Sequence, residues 1–147
     1  MNRLLVRVSP DLGILILRLS LATVFLFHGS QKLFGLFHGP GLAGMAQWLG
    51  SIGMPMPQPA ALLAALAEFG GGLALLTGVV FRPAMVPLCF TMSIAAFVGH
   101  AGKGFDVQRG GLEYPLTLMF AVAALFCTGP GRYVVAARSR AQQALAS

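Results

Sequence analysis

The sequence predicts an all-α integral membrane protein, in which four spanning helices form a bundle and one short helix lies in the membrane surface. Of its 147 residues, 56% are hydrophobic and only 10% are charged, and the mean hydropathy is +0.79. Soluble domains carry about 25% charged residues, which cover their water-facing surface. Because this chain lacks that charge, most of its surface is expected to face lipid. Its length predicts a single domain, 1–147.

Four apolar runs are long enough to cross the membrane. About 30 Å of hydrocarbon requires roughly 20 helical residues. The runs lie near 12–34, 60–81, 83–99 and 112–128. The third run begins at Pro83, which suits the first turn of a helix. Since almost nothing joins the second run to the third, these two are expected to form a tight antiparallel hairpin.

The distribution of Lys and Arg predicts the orientation. With four spans, one face of the membrane would hold Arg3, Arg7, Arg82, Arg132, Arg138 and Arg140, and the other Lys32, Lys103 and Arg109. The excess of positive charge marks the cytoplasmic side, so both termini are expected in the cytoplasm. The net charge of +6 does not indicate nucleic acid, because the cations are scattered between apolar runs and form no stripe.

A short amphipathic helix is predicted in the first outer connection, residues 35–59. One helical face is apolar and consists of Leu42, Met45, Trp48, Leu49 and Ile52, whereas Gly44, Gln47, Gly50 and Ser51 fall on the other. This pattern favours a helix in the membrane surface with Trp48 at headgroup level. A loose loop is the alternative.

Two ionisable residues lie well inside the predicted spans. A charge there costs about 2.5–3.5 kcal/mol on insertion scales, so it needs a partner or a purpose. Arg18 lies in the cytoplasmic half of the first span and Glu68 in the outer half of the second. Their expected axial offset is about 9 Å at 1.5 Å per residue, which allows a structural Arg18–Glu68 ion pair. Alternatively, Glu68 is protonated or faces an outer polar cluster.

Five ionisable residues are expected to meet in the outer half of the bundle. They are His28, Lys32, Glu68, His100 and Glu113, and they come from all four spans. His28 and Lys32 are i, i+4 neighbours on one helix face. Their convergence predicts a polar pocket and makes them the candidate catalytic or binding residues. Each could also be an ordinary interfacial group.

Neither a metal site nor a redox centre is predicted. Cys89 and Cys127 stand far apart and form no C-x-x-C pair. His28 and His100 with a carboxylate would be suitable metal ligands, but no H-x-x-x-H spacing supports such a site. A haem-ligand pair within one span and a Gly-rich nucleotide loop are also missing, so the chain is not expected to supply electrons unaided.

Five short motifs resemble those of the DoxX family. They are H-G-S-Q-K-L-F-G at 28–35, E-F-G-G-G at 68–72, H-A-G-K-G-F at 100–105, G-G-L-E-Y at 110–114 and G-P-G-R-Y at 129–133. The resemblance runs from about residue 12 to 133 and implies a multi-pass protein of the bacterial inner membrane. Such proteins are commonly labelled oxidoreductases; relatives serve as the membrane subunit of thiosulfate:quinone oxidoreductase or occur beside thiol and superoxide detoxifying enzymes. Val134, Val135 and Ala136 depart from the usual Ser/Asp-type ending.

Two functions follow from these residues and this resemblance. The first is the membrane subunit of a redox or detoxification system, with a redox enzyme as partner and a quinone or similar molecule at the outer cluster. There His28, His100 and Glu68 would relay protons, and Lys32 or Arg18 would stabilise a developing anion. The second is a non-catalytic scaffold or a small-solute, proton-coupled carrier, although unbroken helices without inverted repeats are atypical of secondary transporters. Oligomeric state and catalytic competence are left open.

Overall fold

The architecture is given by a computed structural model, which describes residues 9–135. It contains five α-helices: α1 (Pro10–Phe34), α2 (Gly41–Ser51), α3 (Pro57–Thr77), α4 (Phe81–Ile94) and α5 (Glu113–Thr128). One π-helical turn, Ala95–Gly99, continues α4, and a 3-10 turn, Val107–Arg109, lies before α5. No strand occurs among the described residues, so the all-α prediction is confirmed.

The spanning helices agree with the predicted runs to within a few residues. α1, α3 and the continuous segment Phe81–Gly99 are long and apolar enough to cross a membrane, and α5 is a shorter apolar helix. α3 ends four residues earlier than predicted because Gly78 adopts a left-handed conformation (φ 77°), which terminates helices readily in glycine. The predicted cytoplasmic orientation depends partly on Arg3, Arg7, Arg138 and Arg140, which lie outside the described residues.

Two glycines set the register between α1 and α3. A methyl group added at Gly29 would lie 2.6 Å from the backbone nitrogen of Phe69, and one added at Gly72 would lie 2.9 Å from that of Leu26. Only glycine allows backbones to approach this closely, and such contacts replace the hydrophobic effect in lipid. Position 29 is therefore level with 69 and position 26 with 72, which places position 30 level with 68.

The main core lies between α1, α3, α4 and α5. Its most deeply buried apolar side chains include Phe25, Leu75, Met85, Leu88, Val122 and Leu125. The predicted helix in the first connection is present as α2, and Ala46 and Leu49 pack on Ala61 of α3. The buried side of α2 thus rests on the bundle and closes one of its ends.

The ends of the bundle are distinguished by what they contain. At the terminal end, where α1 begins and α5 ends, Arg18 is completely buried. Its guanidinium lies 5.5 Å from the ring centroid of Phe81. It donates hydrogen bonds to four backbone oxygens, those of Leu75 at 2.9 Å, Leu76 at 3.3 Å, Pro130 at 2.7 Å and Tyr133 at 2.6 Å. The opposite end is called the α2 end below.

The predicted Arg18–Glu68 ion pair is wrong. Position 30 of α1 is level with Glu68, so Arg18 lies 12 residues below it. At 1.5 Å per residue this is about 18 Å along the bundle axis, twice the expected offset. The expectation of 9 Å assumed that the predicted span edges were aligned, whereas the packing of Gly29 and Gly72 shifts α3 relative to α1. Glu68 instead accepts a hydrogen bond from Lys32.

Candidate functional site

A cavity of about 590 Å³ lies between α2, α3 and α4 in the α2 half of the bundle. This volume falls within the range typical of small-molecule sites. Most of its wall is apolar, including Met45, Trp48, Ile52, Leu63, Phe90 and Ile94. α2 therefore covers the cavity, and the residues predicted to lie in the membrane surface, Trp48 among them, form part of its wall.

Lys32 and Glu68 form the polar end of this cavity. Lys32 Nζ donates to Glu68 Oε1, and the side chain of Glu68 is 2% exposed whereas that of Lys32 is 22% exposed. The pair forms because Cα–Cβ bonds tilt toward the N-terminus of a helix. In the antiparallel α1 and α3, this tilt directs Lys32 down the bundle and Glu68 up it. The two side chains meet although their backbones differ in height by about 3 Å.

One oxygen of Glu68 has no hydrogen-bond partner in the described part of the chain. Oε2 is the single such buried side-chain nitrogen or oxygen among residues 9–135. Leaving a buried polar atom unsatisfied costs about 1–3 kcal/mol, and more for charged groups. Since most buried polar atoms are paired, this oxygen requires a specific explanation.

His100 is the third ionisable residue that lines the cavity, and the π-helical turn positions it there. Its Nδ1 lies 2.6 Å from the backbone oxygen of Ala95, which also accepts the His100 backbone N–H at 3.1 Å. A carbonyl oxygen can only accept, so Nδ1 carries a proton, and Nε2 is the ring nitrogen that remains free of this contact. π-Helical turns occur often at functional sites.

Trp48 covers the π-helical turn from the side of α2. A methyl group added at Gly99 would lie 3.0 Å from Cη2 of Trp48, so the indole ring rests directly on this glycine. The contact joins the covering helix to the turn that holds His100. It also places the only tryptophan of the chain against the cavity.

The structure brings three of the five candidate residues together. Lys32, Glu68 and His100 line the cavity, whereas His28 and Glu113 do not. His28 lies half-buried on α1 and contacts the ring of Phe27 edge to face, with 5.4 Å between centroids. Glu113 accepts a hydrogen bond from the backbone nitrogen of Val107 at 3.1 Å, so its side chain is engaged by the loop before α5.

Thr91 also lines the cavity but was not among the predicted residues. It shares a helix face with Pro87 and Ile94, a spacing that the sequence displays. A lone Thr in an apolar helix usually bonds its own backbone, however, and carries little signal for a site. Among residues 9–135, no group of three or more His, Cys, Asp or Glu side chains could hold a metal ion.

Comparison with known proteins gives consistent matches. A family model described as DoxX matches residues 13–101, a segment that includes all three ionisable cavity residues. Inner membrane protein YqjF of Escherichia coli strain K12 is 32% identical over 129 residues, covering 85% of this chain and 90% of the relative. Inner membrane protein YphA of the same organism is 30% identical over 123 residues, covering 80% and 84%. These relatives confirm the predicted inner-membrane location, and no solved structure matches the chain.

Proposed function

The chain belongs to the DoxX family, and from this premise we propose that it is the membrane subunit of a redox or detoxification system that binds a quinone or similar small molecule. The observation that carries the proposal is the cavity near Glu68. Its wall is mostly apolar, and the ionisable groups that line it among the described residues are Lys32, Glu68 and His100. A lipid-soluble ring with polar oxygen atoms matches this distribution, because the ring fits the wall and the oxygens meet the polar groups.

The polar groups suit the proton chemistry of a quinone. Reduction of a quinone to a hydroquinone adds two electrons and two protons; in this proposal a partner redox enzyme exchanges the electrons. Glu68 and His100 exchange the protons, and the ammonium of Lys32 stabilises negative charge that develops on the ring oxygen. Arg18 and His28, which the sequence also suggested for these roles, do not line the cavity.

The natural fluorescence of Trp48 provides a direct test, because it is the only tryptophan and lies on the cavity wall. A short-chain benzoquinone is titrated into protein held in lipid nanodiscs. We expect saturable quenching in the natural protein and at least tenfold weaker binding in Ala67→Phe, because the added ring would occupy the cavity that Ala67 lines.

Two controls make the test specific. His38→Asn changes an exposed histidine outside the cavity and is expected to leave binding unchanged. A Trp48→Phe, Phe120→Trp variant moves the fluorophore to an exposed site on α5 and reports non-saturable collisions within the lipid. Quenching that never saturates, or that is identical in Ala67→Phe, would show that the cavity does not bind quinone.

A non-catalytic role is the second candidate, and the Lys32–Glu68 ion pair favours it. This pair connects α1 to α3 through side chains of the protein itself, as a structural network would. A scaffold predicts that His100→Asn leaves the activity of a partner enzyme unchanged. A proton-coupled carrier predicts solute uptake into proteoliposomes that depends on Glu68.

A further inference from the structure

We infer that the cavity selects ligands that donate a hydrogen bond to Glu68 Oε2, namely lipid-soluble phenols and hydroquinones, over ligands that only accept. This inference rests on the proposed function, which places a ligand in this cavity. It goes beyond that function by specifying the class of ligand. A quinone and its hydroquinone differ in this property, because the oxidised ring carries two carbonyl acceptors and the reduced ring two hydroxyl donors.

The hydrogen-bond inventory of Glu68 determines the preference. Its carboxylate pairs with the Lys32 ammonium through Oε1, and an ionised carboxylate has no proton to donate. Oε2 is buried and has no hydrogen-bond partner among residues 9–135. A ligand hydroxyl placed against Oε2 supplies the missing hydrogen bond, whereas a carbonyl or ether oxygen there would set one acceptor against another.

The other polar groups do not reverse this preference. His100 uses Nδ1 on the backbone oxygen of Ala95, so this nitrogen has no hydrogen left to donate to a ligand. Lys32 keeps further N–H groups beyond the one that Glu68 accepts, but its side chain is 22% exposed. Lys32 is therefore partly accessible from outside the protein, whereas Oε2 is buried. The unsatisfied acceptor is the group whose burial is costly.

The apolar part of the ligand follows from the position of the cavity in the bundle. Leu63 of α3 and Phe90 of α4 both line the cavity, yet they are 67% and 68% exposed. Both lie on helices long and apolar enough to cross a membrane, so these exposed side chains are expected to face hydrocarbon at the edge of the cavity. A ligand that enters from the lipid carries an apolar ring or tail and places its hydroxyl group innermost.

A redox-inactive pair of ligands tests the inference without electron transfer. Binding of 4-nonylphenol and of its methyl ether is measured through Trp48 fluorescence in nanodiscs, with empty nanodiscs correcting for partition into lipid. We expect the phenol to bind about tenfold or more tightly, since a hydrogen bond to a charged group is at stake. In Glu68→Gln an N–H group can take the place of Oε2, so the preference should disappear or reverse, while His38→Asn should retain it.

The outcomes separate this inference from the proposed function. Saturable binding of phenol and ether with equal affinity overturns donor selection, while saturable benzoquinone quenching still supports the quinone site. Preference for the phenol without benzoquinone binding supports donor selection and contradicts the quinone site. Failure of all three ligands to bind overturns both. The comparison in the natural protein needs no variant, so it stands even where Glu68→Gln does not fold.

Discussion

The two ends of the bundle hold a buried charge in opposite ways. At the terminal end, Arg18 is enclosed and its three guanidinium nitrogens all donate to backbone oxygens. At the α2 end, Glu68 is equally enclosed but shares one oxygen with Lys32 and leaves the other unpaired beside a cavity. Comparable burial therefore has different consequences at the two ends. The hydrogen bonds of Arg18 are all made within the protein, whereas Glu68 lacks one hydrogen-bond donor within residues 9–135.

The helix ends explain how a cation can be buried without a carboxylate. Leu75 and Leu76 lie in the last turn of α3, where carbonyl groups have no partner within the helix and carry partial negative charge. Arg18 satisfies two of them and also binds the chain that follows α5. Arg18 thus closes the terminal end of the bundle, whereas at the α2 end one carboxylate oxygen of Glu68 has no donor among the described residues.

The largest effect on stability is expected when the hydrogen bonds of Arg18 at the terminal end are removed. Arg18→Gln should lower the free energy of unfolding by about 3–5 kcal/mol, because several buried carbonyls lose their donor together. Thermal unfolding in detergent, followed by size-exclusion chromatography, measures this loss. Arg109→Gln is the control, since that side chain is 84% exposed in a surface ion pair and should leave stability almost unchanged. Equal melting of the two variants would disprove the closure.

A smaller loss of stability is expected at the close contact that sets the register between α1 and α3. Gly29→Ala places a methyl group against the Phe69 backbone, which cannot move as a side chain does, and should cost about 1–3 kcal/mol. Gly70→Ala is the matched control, because nothing lies within 4 Å of the added methyl group. The control should be neutral or slightly stabilising, as alanine favours helix. If both variants unfold alike, close backbone contact does not determine the register.

The smallest effect on stability is expected at the α2 end, and a double-mutant cycle measures it. Lys32→Met leaves the Glu68 carboxylate without its partner, whereas Lys32→Met with Glu68→Met removes both charges. We expect the double variant to be more stable than the sum of the single losses implies, with a coupling energy of about 1–2 kcal/mol. Chemical or thermal unfolding of all four proteins provides the measurement. Strictly additive losses would mean that the two groups do not interact.

Most of the fold could be predicted because it depends on local patterns. Four apolar runs of suitable length are separated by Gly- and Pro-rich connections, and the periodicity around Trp48 correctly indicated α2. The boundary error at α3 also has a local cause, because Gly78 ends the helix in a left-handed conformation. A glycine is a visible stop signal, but several others in this chain stand inside helices.

The partners of the charges could not be predicted from residue types. Arg18 binds backbone oxygens, which every residue carries, so the sequence contains no distinguishing mark for them. The register that separates Arg18 from Glu68 depends on which helix faces Gly29 and Gly72, a long-range contact. To predict the contact between Lys32 and Glu68, one needs the tilt of side chains on antiparallel helices in addition to the depth of the residues in the membrane.

The site at the α2 end was predicted only in part for a similar reason. The topology placed His100 and Glu113 at the same end, but the π-helical turn directs His100 to the cavity, whereas the loop before α5 engages Glu113. Nothing in the apolar run 83–99 predicts that turn. In the structure the turn occurs where Trp48 packs against Gly99. A helical wheel therefore cannot predict the direction of a side chain that follows a break in the α-helical period.

The closure at Arg18 has a consequence for biosynthesis. Its acceptors Pro130 and Tyr133 lie 112 and 115 residues further along the chain, so they leave the ribosome long after α1 has been made. Until then the first span holds an incompletely paired guanidinium in the bilayer, where charge costs about 2.5–3.5 kcal/mol. A chain that stopped before residue 130 would therefore contain every spanning helix and still leave the Arg18 guanidinium without two of its four acceptors.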